Sequence, residues 1–455
     1  MASSRGPDDL EDSSHGNLTY RAAIRRFSKN AKLYLVYATL SGVNSSIFLV
    51  AFAFYLEEIF SPRVKILGVS FGVFAFIGLT LSAQAMAHGA NSLPSGFLGD
   101  KFGRKRSFIA ASLVAVFSGA AILVTADPLF LLTLAVIVGI GEAFHGVVGG
   151  PFMMENSREE ERIHLFSLSG VLTTVSTVVG ALLGGLLPLI FQTWVGGLDG
   201  TLLGSFAFGT DRAIALRLTL FMAVPFGLVE LIPLAFMRES YAPVLVPLRD
   251  VFLLRHVENK GTVGRLSTIA LGYAAGLGLY FPLLNLHFEH SYGIDATGFG
   301  PIVAMNNVAI ASAILAVPLL VRRWGKVRTI VFTRLLAVPF LAALALTPSL
   351  LLVVLFFVMR GALSSMAFPV SGAFSMEVVE EQERATTAGF THAAFDLFYG
   401  GSIFFAGLLL EFGGFWSAFL FGGALYVGHA VLWYFWFGNH PVDAMSRGAA
   451  TGASR

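Results

Sequence analysis

The sequence predicts an all-α integral membrane protein, with twelve transmembrane helices in two pseudo-symmetric six-helix bundles. Composition, the spacing of apolar runs and an internal repeat carry that prediction. Of the 455 residues, 55% are hydrophobic and 13% charged, whereas a soluble domain holds about 25% charged residues to keep its surface wet. A surface that meets lipid has no such need. Apolar stretches recur along the whole chain at about the 20 residues that a helix needs to cross a hydrocarbon core of roughly 30 Å.

The predicted spans cover residues 33–57, 66–97, 106–126, 128–154, 164–192, 213–237, 266–288, 297–321, 327–347, 349–378, 385–411 and 415–438. An even count puts both chain ends on one side, and the distribution of Lys and Arg says which side. Of the 30 Lys and Arg, 24 fall on one face of this arrangement. They lie in the N-terminal tail, the loops after helices 2, 4, 8 and 10, the central linker and the C-terminal tail. Only Arg63, Lys65, Arg212 and Arg217 fall on the other face, while Arg334 and Arg360 lie within spans. The expected organisation is a cytoplasmic tail (1–32), a first bundle (33–238), a cytoplasmic linker (239–265), a second bundle (266–438) and a cytoplasmic tail (439–455), in the plasma or inner membrane. The polar first 33 residues lack the short apolar core of a cleavable signal, so the first span is expected to start insertion uncleaved.

A shift of 222 residues superimposes two pairs of segments. Leu98 to Ser107 (LGDKFGRKRS) falls on Leu320 to Thr329 (LVRRWGKVRT), matching Gly103 with Gly325 and Arg104 with Lys326. Pro151 to Arg162 (PFMMENSREEER) falls on Ala373 to Arg384 (AFSMEVVEEQER), matching six identical residues that include Glu155 with Glu377. Two matches at one offset, both at equivalent topological positions, indicate two related halves. Parallel six-helix repeats suit rocking of one half against the other about a central site.

Gly96-Phe97-Leu98-Gly99-Asp100-Lys101-Phe102-Gly103-Arg104-Lys105 resembles the loop signature of the major facilitator superfamily. The resemblance extends from about residue 33 to residue 438. It implies a transporter working by alternating access on a small solute. It also implies that Asp100 faces the N-terminus of helix 11 and that Arg104 bridges to Glu155 at the end of helix 4. With Gly96 and Gly103, those residues would latch the cytoplasmic side shut in the outward-facing state. In the second copy Arg322 replaces the Asp, so that copy is expected to keep the turn and the positive charge without the acidic latch.

Ionisable groups deep in a span are costly and are functional candidates by default. Glu142 lies midway along helix 4 with His145 one turn away. Arg360 lies near the middle of helix 10, and Asp396 near the middle of helix 11. His392, four residues before Asp396, shares its helix face. These five residues are expected to converge at mid-membrane. Helices 1, 4, 7 and 10 line the cavity in the resembled family, which adds Asn44, Tyr37 and Asn285, with Gln84, His88, Asn306 and Asn307 from helices 2 and 8. Each has a plainer alternative: a hydrogen bond between helices for the amides, a fixed ion pair between halves for Arg360 with Glu142, a tether for His392 with Asp396.

The functional expectation is a secondary active transporter, coupled to protons through Glu142 or Asp396, with Arg360 able to receive an anionic group through its planar fork. Efflux is slightly favoured over uptake, and a passive facilitator is the alternative. A non-transporting sensor or a membrane enzyme is more remote. The ten His form no HExxH pattern, and the absence of Cys excludes disulfides and thiolate chemistry. No cofactor, metal or nucleic-acid partner is expected; the partners are a small solute, protons and membrane lipid, and the chain is expected to be monomeric. Two departures from the family pattern leave direction open. Helix 1 has no acidic residue before Glu57 at its end, helix 4 has no Arg, and Gly180-Ala-Leu-Leu-Gly184-Gly185 lacks the Pro of an antiporter signature.

Overall fold

The structure, a computed structural model, describes residues 24–196, 209–239, 258–380 and 383–443. Both tails beyond those limits, most of the Gly-rich loop over 196–209 and most of the linker expected over 239–265 lie outside the described residues. Within them, twelve helices are long and apolar enough to cross a membrane. They are α1 (Lys29–Phe60), α2 (Val73–Phe102), α3 (Arg104–Val124), α4 (Pro128–Glu155), α5 (Glu159–Val195) and α6 (Asp211–Phe236) in the first half. The second half has α7 (Lys260–Tyr292), α8 (Ala296–Trp324), α9 (Lys326–Leu346), α10 (Leu350–Glu377), α11 (Arg384–Gly413) and α12 (Phe415–Phe437).

Side-chain caps explain several of the starts. Ser28, Asp127, Thr210, Asn259 and Asp295 each accept a bond from a first-turn N–H, at 2.7–3.2 Å, which satisfies donors that a helix leaves orphaned. The Asn259 cap also explains why α7 begins at Lys260, ahead of the expected 266. Two helices are broken. α6 is interrupted at Met222, and α7 at a 3-10 turn over Phe281–Leu283.

One stretch departs from the expected element. Residues 66–72, assigned above to the second span, belong to an antiparallel hairpin of β1 (Arg63–Ile66) and β2 (Val69–Gly72). Its two-residue turn, Leu67-Gly68, has positive φ at both positions, 49° and 86°. Such turns match the twist of paired strands and select glycine, a signal that the surrounding apolar run obscures. Gly68-Val69-Ser70-Phe71-Gly72 has the Gly-x-Ser-x-Gly spacing of a hydrolase elbow. Ser70 lies within a strand opposite Lys65 rather than on the sharp strand-to-helix turn which that chemistry needs.

The hairpin marks one face of the bundle, and the α2–α3, α4–α5 and α8–α9 turns mark the opposite, basic face. One apolar core joins both halves, through residues such as Phe54 on α1, Phe288 on α7, Phe299 on α8 and Phe357 on α10. At the hairpin face, ion pairs also cross between halves: Glu57 with His290 at 2.6 Å, and Arg212 with Glu289, while Glu58 of the same half holds Arg212 at 3.5 Å. Toward the basic face each half has its own core, around Tyr34, Phe108 and Phe152 in one and Val327, Phe374 and Trp433 in the other. The halves are therefore fused at the hairpin face and separately packed at the basic face.

Small residues set the two seams between halves. Gly78 on α2 backs onto Gly407 on α11, and Gly185 on α5 onto Gly300 on α8. Backbones can approach this closely only where no Cβ intervenes. Outward-facing apolar side chains, such as Leu315, Leu351, Phe412 and Phe435 at 78–86% exposure, are the lipid-facing surface.

The seam predicts opposite signs for two neighbouring substitutions. A Cβ at Gly407 would meet the backbone of Phe74 and Gly78, whereas one at Gly401 meets open space. Gly407→Ala should lower the thermal unfolding midpoint, with an overpacking cost of about 1–3 kcal/mol. Gly401→Ala should hold or raise it, since alanine gains about 0.5–1 kcal/mol over glycine within a helix. Equal midpoints for the two variants would contradict the seam.

Candidate functional site

A cavity of about 470 Å³ lies against α1, α2, α3, α4, α6 and α11, with Pro282 contributed by the break in α7. Its walls are largely apolar and carry Phe48, Phe52, Phe395 and Tyr399. Its carboxylate and imidazole lining residues are Glu142, Glu230, Asp396, His88 and His145, and among the described residues no Lys or Arg lines it.

Each carboxylate and imidazole is held by a neighbour from another helix. The Gln84 side chain donates to Glu142 at 2.9 Å, and Asn44 donates to Glu230 at 3.3 Å. His145 is hydrogen-bonded through Nδ1 to Tyr37, and its Nε2 lies 3.5 Å from the Ser112 hydroxyl. His88 and Asp396 meet across the seam between halves, Nδ1 to Oδ2, at 3.3 Å. Gly89 makes that pair geometrically possible, because a Cβ there would collide with Asp396.

The expected convergence of five residues is therefore corrected. Glu142, His145 and Asp396 share the cavity with Asn44, but Arg360 and His392 do not line it. Arg360 is buried in the second half, donating to the Tyr280 hydroxyl at 2.7 Å. Its guanidinium carbon lies 5.3 and 5.6 Å from the ring centres of Tyr280 and Phe357. The ion pair with Glu142 weighed above is thus not formed. Depth along a helix is readable from residue number, whereas the direction a side chain faces depends on packing, and α10 turns Arg360 toward the broken α7. His392 is exposed, and Asp396 takes His88 as its partner in place of the tether to His392. Asn285 is buried outside the cavity, its side-chain oxygen accepting from the Leu286 N–H at 3.0 Å.

Three buried groups escaped the sequence reading. Glu230 is a lone carboxylate in the apolar run of α6, the same signal that singled out Glu142. Arg334 stacks 3.6 Å from the Tyr273 ring centre and donates to Ser364 at 2.5 Å. Arg217, counted above with the outer loops, is 2% exposed within α6, with its Nε 3.5 Å from the Tyr55 hydroxyl.

At the basic face the duplicated motif is built as a duplicated device. Gly103 and Gly325, with φ of 93° and 84°, turn the chain from α2 into α3 and from α8 into α9. Arg104 pairs with Glu155 at 2.6 Å, the contact that the resemblance implied. Lys326 pairs with Glu377 at the repeat-related positions, so the second copy keeps a basic-to-acidic contact that was not expected of it. Gly96 packs α2 against Val147 of α4. The side chain of Asp100 lies outside the described residues. A carboxylate also follows each half: Glu239 accepts from the Lys105 N–H at 3.4 Å, and Asp443 from the Val327 N–H at 2.9 Å. Both sit at helix N-termini, where negative charge is favoured.

The two ion pairs differ in burial: Arg104 and Glu155 are 9% and 26% exposed, Lys326 and Glu377 17% and 44%. Charge-assisted bonds contribute about 1.5–3 kcal/mol when buried and little at a surface. Glu155→Gln should therefore lower the unfolding midpoint more than Glu377→Gln does, and the reverse order would contradict the assignment.

The family model described as Major Facilitator Superfamily matches residues 33–246 and 266–453. No curated protein matches the chain in sequence. Among solved structures, a nucleoside transporter, NupG, aligns with a TM-score of 0.69 at 12% identity, over 90% of this chain and 100% of that one. A D-xylose–proton symporter aligns with a TM-score of 0.69 at 13% identity, over 92% and 98%. A bacterial homologue of the human lysosomal transporter Spinster, inward-facing and unoccupied, aligns with a TM-score of 0.65 at 16% identity, over 96% and 98%. At such identities the likeness shows the fold, which agrees with the family match over both halves. The chain belongs to the major facilitator superfamily of transporters, which work by alternating access.

Proposed function

We propose that this chain is a proton-coupled secondary transporter of a small solute, with the His88–Asp396 pair and Glu142 as the proton-handling groups. The observation that carries the reading is the His88–Asp396 contact, a titratable pair inside the cavity that joins the two moving halves. A charged Asp396 attracts a charged His88 across the seam. Protonating the carboxylate, or deprotonating the imidazole, removes that attraction and lets α2 and α11 slide. Glu142, held only by a neutral amide, is a second place for a proton to reside. The symporter among the solved structures is named for proton coupling, a precedent for the same fold using protons.

Orientation follows from charge. The positive-inside rule puts the basic face, both tails and the linker over 239–265 in the cytosol, leaving 33–238 and 266–438 as the two rocking units in a plasma or inner membrane. The hairpin face is then extracytoplasmic and closed, as in an inward-facing transporter such as the Spinster homologue. Arg104 with Glu155 and Lys326 with Glu377 brace the cytoplasmic end of each half from within. Efflux fits a cavity that loads from the cytosol.

A thermal-shift screen of metabolites and drugs supplies a solute, and proteoliposomes with an imposed pH gradient supply the test. The wild type should accumulate that solute uphill. Asp396→Asn and Glu142→Gln should lose gradient-driven accumulation by about tenfold or more, with Asp396→Asn retaining exchange down the solute's own gradient. Wild-type accumulation by both variants would overturn the proton assignment. Equilibration without accumulation by the wild type would identify a passive facilitator.

A further inference from the structure

We infer that the transported solute is an amphipathic organic cation, drawn into the cavity by Glu142 and Glu230. The inference rests on the cavity being the transport site, and it comes from how charge is distributed around that cavity. Among the described residues, three carboxylates line it and no Lys or Arg does. Asp396 already has His88 as a partner. Glu142 and Glu230 have only the side-chain amides of Gln84 and Asn44, and neither forms an ion pair among the described residues. An amide orients a carboxylate without neutralising it. A desolvated carboxylate lacking a counter-charge costs several kcal/mol, so each of these groups needs either a proton or a positively charged ligand.

The arginines that could have played that part face elsewhere. Arg334 and Arg360 are buried in the second half against Tyr273 and Tyr280, with guanidinium carbons 3.6 and 5.3 Å from those rings. Among the described residues, an anionic solute would thus meet carboxylates and no cation except imidazole. A cationic one would meet two carboxylates and the ring faces of Phe48, Phe52, Phe395 and Tyr399. Aromatic faces attract cations by about 0.5–2 kcal/mol, more when water is excluded. The apolar remainder of the wall asks for a hydrophobic body on the same molecule. A volume of about 470 Å³ lies within the range of sites that hold drug-sized ligands. Cation and proton would compete for the same carboxylates, which is how an exchanger couples one to the other.

Two probes of matched shape and opposite charge, tetraphenylphosphonium and tetraphenylborate, separate this inference from general hydrophobic binding. Binding is measured at equilibrium on purified full-length protein without any gradient, with heat-unfolded protein as the blank. The cation should bind saturably and the anion at least tenfold more weakly. Glu230→Gln and Glu142→Gln should each weaken cation binding about tenfold, and Glu230→Asp should restore part of the loss, provided melting curves show all variants folded. Equal binding of the two probes, or wild-type affinity in both Gln variants, would overturn the cationic class. Such a failure leaves gradient-driven accumulation unaffected, and a failure of proton drive leaves this binding unaffected, so the two readings fall separately.

Discussion

In hydrocarbon an ionised side chain has to be met by a partner, a proton or trapped water, and every other feature of this chain is arranged around that constraint. The two halves meet it differently. The second half buries Arg334 and Arg360 on tyrosine faces and hydroxyls. The first half holds Glu142 and Glu230 on neutral amides beside a cavity. Within the cavity, His88 and Asp396 meet across the seam. The buried arginines thus lie away from the cavity on rings and hydroxyls, whereas the carboxylates face it. That asymmetry gives the cavity its chemistry.

The repeat supplies the mechanics. A glycine of positive φ, a basic residue just after it and a glutamate at the end of the helix two further on occur once in each half, as Gly103, Arg104 and Glu155 and as Gly325, Lys326 and Glu377. Carboxylates after the sixth and twelfth helices cap the helix that follows each glycine. Each half is therefore braced internally at the basic face, where the two cores are separate, and can move as a unit. At the hairpin face, a shared aromatic core and the crossed pairs Glu57–His290 and Arg212–Glu289 hold the halves together. Glycine-lined seams at α2–α11 and α5–α8 let the halves pivot without passing bulky side chains.

Much of the architecture was legible because lipid makes patterns simple. Span length, the Lys and Arg asymmetry and the 222-residue offset gave the helices and their halves, and the family resemblance implied the Arg104–Glu155 pair. The offset also contained Lys326–Glu377, which attention to the replaced Asp concealed. The site was less legible. Sequence position places Glu142, Arg360, His392 and Asp396 at similar depth, but azimuth is set by packing: Gly89 brings Asp396 to His88, and the break in α7 offers Arg360 an aromatic bed. Glu230 carried the same signal as Glu142 and was passed over near the end of its span. The hairpin at Arg63–Gly72 was hidden because a short apolar strand beside an apolar helix reads as one run.

The central claim is that protons at the cavity carboxylates govern whether the halves part at the basic face or the hairpin face. The chain has no cysteine, so spin labels can be placed freely, one pair at Leu67 and Ser291 on the hairpin face and another at Phe102 and Arg323 on the basic face. Interspin distances measured across a pH series should move in opposite directions at the two faces, and should stop responding to pH in the double variant of Asp396→Asn and Glu142→Gln. Distances that ignore pH in the unsubstituted cavity, or that respond equally in the double variant, would contradict the account.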